Sequence, residues 1–274
     1  MLYTTGFTQN IENLAALSAS AAEPLPLKNF IDLKYGYQNY LRTFQKNALL
    51  DRRFSEEIEI ITGLEQKTIL SNAFLITSKL NDLNQSSLIE SLQVENEPTY
   101  YQALQQAIQF IKSNCPELHQ LIHLSFNYCF FARSSIANGG STSNGLGILW
   151  LNPKPSWTLQ DYCEVLVHEL THQLLFVDER RYQHYPNYDL LENKETFAYS
   201  TILNKTRPLD KVLHSYFVGK NVLAFRKKYF PEKDEATLHP SSDKIEISLI
   251  ETRNSISPFH QKLLTLRINN LIKL

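Results

Sequence analysis

The feature that most constrains this sequence is the motif His168-Glu169-Leu170-Thr171-His172, which lies in a segment predicted to form one helix. Side chains four residues apart share a helical face, so the imidazoles of His168 and His172 can reach one metal ion. Burying two histidines and a glutamate in an apolar segment is costly unless they have a partner. A metal ion provides that partner, and imidazole suits zinc and iron alike. The motif alone also fits two packed core histidines beside a surface glutamate. The apolar neighbours are Val165, Leu166, Val167, Leu170, Leu174, Leu175 and Phe176.

The helix that carries the motif has a recognisable start. Thr158 followed by Asp161 is typical of an N-cap residue with an acid at the third helical position. Neither Gly nor Pro interrupts the chain from there to about Phe176, so we predict a single helix. Apolar runs upstream predict two strands, from Leu121 to Phe131 and from Gly145 to Leu151, with a turn at Asn138-Gly139-Gly140 between them.

The first 120 residues are predicted to be mainly helical. Pro98 is placed in the first turn of a helix whose apolar residues recur at helical spacing until Asn114-Cys115-Pro116 ends it. We therefore divide the chain into a helical N-terminal region, residues 1–120, and a metal-binding catalytic region, residues 121–274. The predicted fold class is α+β, dominated by helices, with a small β-sheet packed near the metal-binding helix.

Composition restricts the classes of partner. The 27 Lys and Arg residues nearly balance the 28 Asp and Glu residues, so no overall field attracts nucleic acid or an anionic membrane. The three cysteines show no paired spacing, which argues against a disulfide framework. We find no signal-peptide pattern and no apolar run of about 18 residues that could span a membrane. We expect a cytoplasmic protein without nucleic-acid or membrane partners, and the sequence indicates no particular oligomeric state.

Two histidines do not complete a catalytic metal site, because a third protein ligand is normally needed. His214 is one candidate, in a helix predicted to begin at Pro208. Glu192 and Glu195 are the others, since they follow the motif at about the distance that a thermolysin-like zinc peptidase uses. A lone histidine on an apolar helical face is usually a core residue, and only the nearby motif makes His214 a candidate ligand.

A wider set of residues, from about 145 to 220, resembles the H-E-x-x-H-type peptide β-hydroxylases. The resemblance rests on Gly147-Ile148-Leu149-Trp150-Leu151-Asn152-Pro153, the motif itself, Tyr199-Ser200, Arg207-Pro208-Leu209 and Leu213-His214 with Phe217. Enzymes of that family depend on iron(II) and 2-oxoglutarate and modify ribosomally made peptides. The resemblance implies that this chain hydroxylates a side-chain β-carbon of a precursor peptide.

The resemblance also implies roles for single residues. His168, His172 and His214 would bind Fe(II), and the remaining metal positions would bind 2-oxoglutarate. Arg207 would bind the distal carboxylate of 2-oxoglutarate, because a guanidinium group forms two parallel hydrogen bonds with a carboxylate. Arg133, just past the first predicted strand, is the reserve candidate for this cofactor-binding role.

The candidate catalytic residues are Glu169 and Tyr199. The family usually continues from its Tyr-Ser pair with Pro-Trp-Arg, whereas this chain has Thr201-Ile202-Leu203. Roles tied to those three positions are therefore not transferred.

Two alternatives stay open. In a zinc metallopeptidase, His168, His172 and Glu192 would bind Zn and Glu169 would be the general base for a metal-bound water. Tyr199 or His214 would then stabilise the oxyanion. The other alternative is a metal-stabilised binding module without catalytic activity.

Overall fold

The computed structural model of this chain describes residues 4–21, 23–45, 55–75, 87–201, 203–232, 237–259 and 262–273. Within these ranges the α-helices are α1 Phe7–Ala19, α2 Phe30–Phe44, α3 Leu64–Ser71, α4 Glu97–Asn114, α5 Pro116–Ser125, α6 Leu159–Arg181, α7 Leu209–Tyr229, α8 Ser242–Ile256 and α9 Leu266–Lys273. The β-strands are β1 Glu59–Ile61, β2 Tyr128–Phe131, β3 Gly139–Gly140, β4 Ile148–Leu151, β5 Ala198–Ser200 and β6 Lys205–Arg207. The predicted helix-dominated α+β class is confirmed.

Helix α6 begins where the sequence predicts. The Thr158 hydroxyl accepts a hydrogen bond from the backbone N–H of Asp161, and the Asp161 carboxylate accepts one from the backbone N–H of Thr158. These two bonds satisfy donors that a helix start otherwise leaves unpaired. The helix continues past the predicted end near Phe176 to Arg181, because Val177 and Asp178 are buried and extend its packed face.

The small sheet has the strand order β1-β2-β4-β3. Strands β1, β2 and β4 are parallel, and β3 pairs antiparallel with β4. Strands β2 and β4 are buried along their whole length, as expected for parallel strands covered on both faces. One side of these strands contributes Cys129, Phe131, Leu149 and Leu151 to the core cluster that contains the apolar residues of α6. The sheet therefore packs near the motif helix, as predicted.

Two local predictions are wrong. Residues 121–125 lie in α5 and not in a strand, because Pro116 starts a helix whose apolar face buries Leu118, Leu121 and Ile122. Gly139 and Gly140 form the short strand β3 instead of a turn. A Cβ atom at Gly140 would lie 2.5 Å from the indole nitrogen of Trp150, so only glycine permits this close pairing.

Helices α6 and α7 run antiparallel through the centre of the molecule, as their paired polar residues indicate. The Asn221 amide donates to the Thr171 hydroxyl at 2.9 Å, and Arg226 binds Glu164 farther along the same helix pair. Apolar residues of α4, α5, α6 and α7 share one core cluster. The division of the chain at residue 120 stays a prediction. Among the described helices, none is long and apolar enough to cross a membrane.

Candidate metal centre

Helix α6 places His168 and His172 on one face, as the motif predicts. Their ring centroids are 5.1 Å apart, and both side chains are partly exposed at the edge of the buried helix. Phe176, one further turn along, stacks on His172 with a centroid distance of 6.3 Å. The i, i+4 spacing thus gives two neighbouring imidazoles beside an apolar wall.

Helix α7 brings His214 to this pair. The Nδ1 atoms of His172 and His214 are 2.8 Å apart, and the two rings stack with centroids separated by 5.1 Å. Phe176 also contacts His214, with a centroid distance of 4.9 Å. The structure therefore brings together all three histidines that the sequence proposes as metal ligands.

A fourth histidine, His239, was not among the predicted residues. Its Nε2 atom is 2.9 Å from Nδ1 of His168, and its Nδ1 atom is 3.0 Å from the Glu164 carboxylate. His239 lies in the segment before α8 and has no periodic relation to the motif. The sequence did hold a signal in Glu164, because this acid precedes His168 by one helical turn on the same face of an apolar helix.

Glu164 is a fully buried anion with several donors. Arg226 donates to both of its carboxylate oxygens at 2.8 Å, and Gln160 donates to one of them at 2.7 Å. Burial alone would raise its pKa, but the hydrogen bonds from Arg226, His239 and Gln160 hold the pKa of Glu164 at about 2. The carboxylate is therefore ionised at neutral pH.

Glu169 is also buried, but among the described residues no arginine or lysine forms an ion pair with it. Ser141 donates to one of its oxygens at 2.8 Å, and its other oxygen lies 3.9 Å from Nε2 of His168. Burial raises the pKa of Glu169 to about 8, which the hydrogen bonds from Ser141 only partly offset. The predicted catalytic carboxyl thus lies beside the first predicted ligand.

The three predicted ligands are held in their neutral form. Partial removal from water, followed by the neighbouring His239, lowers the pKa of His168 below its ordinary value. Burial, followed by Lys211 and His184, lowers the pKa of His214 to about 3. Burial also lowers the pKa of His172 well below its ordinary value. Neutral imidazole is the form that binds metal, so ligation requires no deprotonation at neutral pH.

The donor chemistry fits a divalent transition metal. Imidazole nitrogens are ligands that zinc and iron both accept, and Nδ1 of His172 lies 2.8 Å from Nδ1 of His214, a hydrogen-bonding distance. In the described part of the chain, however, no group of three or more His, Cys, Asp or Glu side chains is arranged to hold a metal ion. The three imidazoles are neighbours in this structure, and binding of one metal ion by all three would require their ring nitrogens to come closer together.

The two arginines predicted to bind the cofactor, Arg207 and Arg133, lie in different parts of the fold. Arg207 ends β6, with one residue between it and α7, and after burial, His168, His214 and Lys211 its positive charge is the smallest influence that lowers the pKa of His172. Arg133 instead donates to the carbonyl of Pro153 at 2.9 Å and covers the ring of Tyr100. Among the contacts described for Arg133, none involves the histidines.

Tyr199 and Glu192 are both exposed. Tyr199 lies in β5, where its hydroxyl donates to the side chain of Asn204. Glu192 ends a short 3₁₀ helix, and Glu195 is likewise exposed. Within the described ranges, the structure brings none of these three side chains into contact with the histidines. Their predicted roles stay predictions, and Ile202 lies outside the described residues.

The candidate centre consists of helices α6 and α7, the four histidines and the buried carboxylate of Glu164. Comparison of this chain with protein-family models and with curated protein sequences finds no match.

Proposed function

We propose that this chain is an iron(II)- and 2-oxoglutarate-dependent dioxygenase that hydroxylates a side-chain β-carbon in a ribosomally made peptide. The observation that carries the proposal is the contact of His214 with His172, 2.8 Å between Nδ1 atoms. This contact supports His214 as the third ligand, whereas Glu192 is exposed. The resemblance of residues 145–220 to peptide β-hydroxylases supplies the reaction and the substrate class.

In this proposal His168, His172 and His214 hold the metal. When bound, iron(II) with 2-oxoglutarate and O₂ would supply the oxidising chemistry that replaces a C–H bond with C–OH, one oxygen atom of O₂ going to the product and the other to succinate. Arg207 binds the distal carboxylate of 2-oxoglutarate, and its electrostatic influence on His172, although the smallest of several, supports this role. Phe176 packs against the rings of His172 and His214.

A zinc metallopeptidase is the second candidate, and the position of Glu169 favours it. A general base for a metal-bound water must lie close to the metal ligands, and a Glu169 oxygen lies 3.9 Å from Nε2 of His168. The two functions differ in their requirement for a cosubstrate, because only the dioxygenase consumes 2-oxoglutarate.

The test is anaerobic reconstitution with Fe(II), followed by addition of 2-oxoglutarate and oxygen and measurement of succinate. The proposal predicts conversion of 2-oxoglutarate to succinate, stimulated by the precursor peptide. Absence of 2-oxoglutarate turnover, together with peptide cleavage by the zinc-loaded protein, would favour the metallopeptidase.

Arg207→Lys should weaken 2-oxoglutarate binding about tenfold, because an ammonium group cannot form the second parallel hydrogen bond. Isothermal titration calorimetry of the iron-loaded protein under nitrogen measures this, and we expect wild-type affinity in the micromolar range. Arg133→Lys is the matched control and should bind like wild type, since Arg133 is engaged with Pro153. A loss of binding in Arg133→Lys alone would transfer the role to Arg133.

A further inference from the structure

We propose that His239 is a positioning residue that fixes the ring of His168 so that Nε2, and not Nδ1, of His168 binds the metal. The inference rests on the proposed metal centre. A chain of hydrogen bonds connects a buried ion pair to one predicted ligand. The chain runs from Arg226 to Glu164, then to His239 and finally to His168. Each link of this chain is a direct contact of 3.0 Å or less.

The direction of the hydrogen bonds follows from the buried carboxylate. Ionised Glu164 can only accept, so His239 donates to it from Nδ1–H. When His239 is neutral, its other nitrogen is an acceptor, and Nε2 of His239 then accepts from Nδ1–H of His168. His168 consequently carries its lone pair on Nε2. That atom faces the oxygen of Glu169 at 3.9 Å, on the side away from His239.

The segment that carries His239 is anchored to α6 and α7. The backbone N–H groups of Thr237 and Leu238 both donate to one carboxylate oxygen of Asp161, at 2.9 and 3.0 Å. The carbonyl of Pro240 accepts a hydrogen bond from Arg226 at 2.8 Å. Bonds on both sides of His239 thus hold its imidazole in place between Glu164 and His168.

The presence of His239 beside Glu164 is not explained by a need to neutralise the Glu164 carboxylate. Arg226 binds both carboxylate oxygens, and Gln160 adds a third donor group. His239 adds a fourth donor and extends the chain to a predicted ligand. Metal-ligating histidines typically have such a partner on their second nitrogen, and its removal typically costs 10- to 100-fold in metal affinity.

The test is a cobalt(II) titration of the full chain followed by absorption spectroscopy. We expect His239→Ala to bind cobalt about 10- to 100-fold more weakly than wild type. His239→Gln should recover most of the affinity, because its amide oxygen can accept from Nδ1–H of His168. Thr237→Val is the matched control in the same segment. It loses only a hydroxyl bond to Asp161 and should bind like wild type.

A second measurement reports on the hydrogen bond itself. In the cobalt-loaded protein, Nδ1–H of His168 should give a paramagnetically shifted proton signal that exchanges slowly with water. In His239→Ala this signal should exchange rapidly, and in Thr237→Val it should remain. If His239→Ala does not fold, the comparison of His239→Gln with Thr237→Val, in affinity and exchange rate, decides the question.

Two outcomes would overturn the inference. Unchanged affinity and slow exchange in His239→Ala would show that His239 does not position His168. A loss as large as that of His168→Ala, without recovery in His239→Gln, would make His239 a ligand instead. If the proposed metal centre itself is wrong, His168→Ala will bind cobalt as wild type does. That result is distinguishable from the two outcomes above.

Discussion

His214→Ala should lose metal affinity on the order of several kcal/mol, while Glu192→Ala should keep the wild-type affinity. A ligand in direct contact with the metal contributes an energy of this order, whereas a residue outside the site contributes little. His214 lies on α7 against His172, and Glu192 is exposed on a 3₁₀ helix. Metal titration of the two variants side by side measures the difference.

This comparison also separates the two proposed enzymes. The peptidase alternative uses Glu192 as its third ligand and predicts the reverse order of affinities. Retained affinity in His214→Ala together with a loss in Glu192→Ala would lead us to replace the dioxygenase with the peptidase. Both proteins should unfold near the wild-type denaturant midpoint, so that a change in metal affinity is not a change in folding.

Arg226→Met should destabilise the fold by about 3–5 kcal/mol, because it leaves the buried Glu164 carboxylate without its cationic partner. Glu164 is fully buried and Arg226 is 1% exposed, so water cannot replace the lost bonds. Urea unfolding at neutral pH measures the effect. Lys227→Met is the control one residue away. Lys227 pairs with Glu246 at the surface, and its loss should cost less than about 1 kcal/mol.

The pH dependence provides a second check on Arg226→Met. In wild type the pKa of Glu164 is about 2, below its ordinary value of 4.5. Its contribution to stability is therefore present above pH 4.5 and is lost as the pH falls towards 2. In the variant, burial without Arg226 raises that pKa, and Glu164 can take up a proton. The destabilisation should thus be smaller at pH 4 than at pH 7. Equal losses at the two pH values would contradict this account of the ion pair.

The elements nearest the motif could be predicted from the sequence because local signals define them. Thr158 and Asp161 mark the start of α6, and Pro208 marks the start of α7. Helical spacing alone places His168 and His172 together. The predictions of the strands are less accurate, because a short apolar run fits a buried strand and a buried helix equally well. Residues 121–125 are an example, because Pro116 extends α5 through them.

The rest of the candidate centre depends on contacts between distant segments. His239 is 71 residues from His168, and Arg226 is 62 residues from Glu164. No periodic pattern links such positions, because the packing of α6 against α7 and the anchoring of the segment before α8 bring them together. The contact of Arg133 with Pro153 is also one that no local pattern predicts. Arg133 was a candidate because it follows a strand.

The most direct test of the central claim is the metal content of the purified protein after metal loading, measured by elemental analysis. Wild type, His168→Ala and His172→Ala are loaded and desalted in parallel. The proposed centre predicts about one metal ion per chain in wild type and loss of that ion in both variants, because each variant removes an imidazole ligand. Equal metal content in all three proteins would contradict the claim that the H-E-x-x-H helix holds a metal.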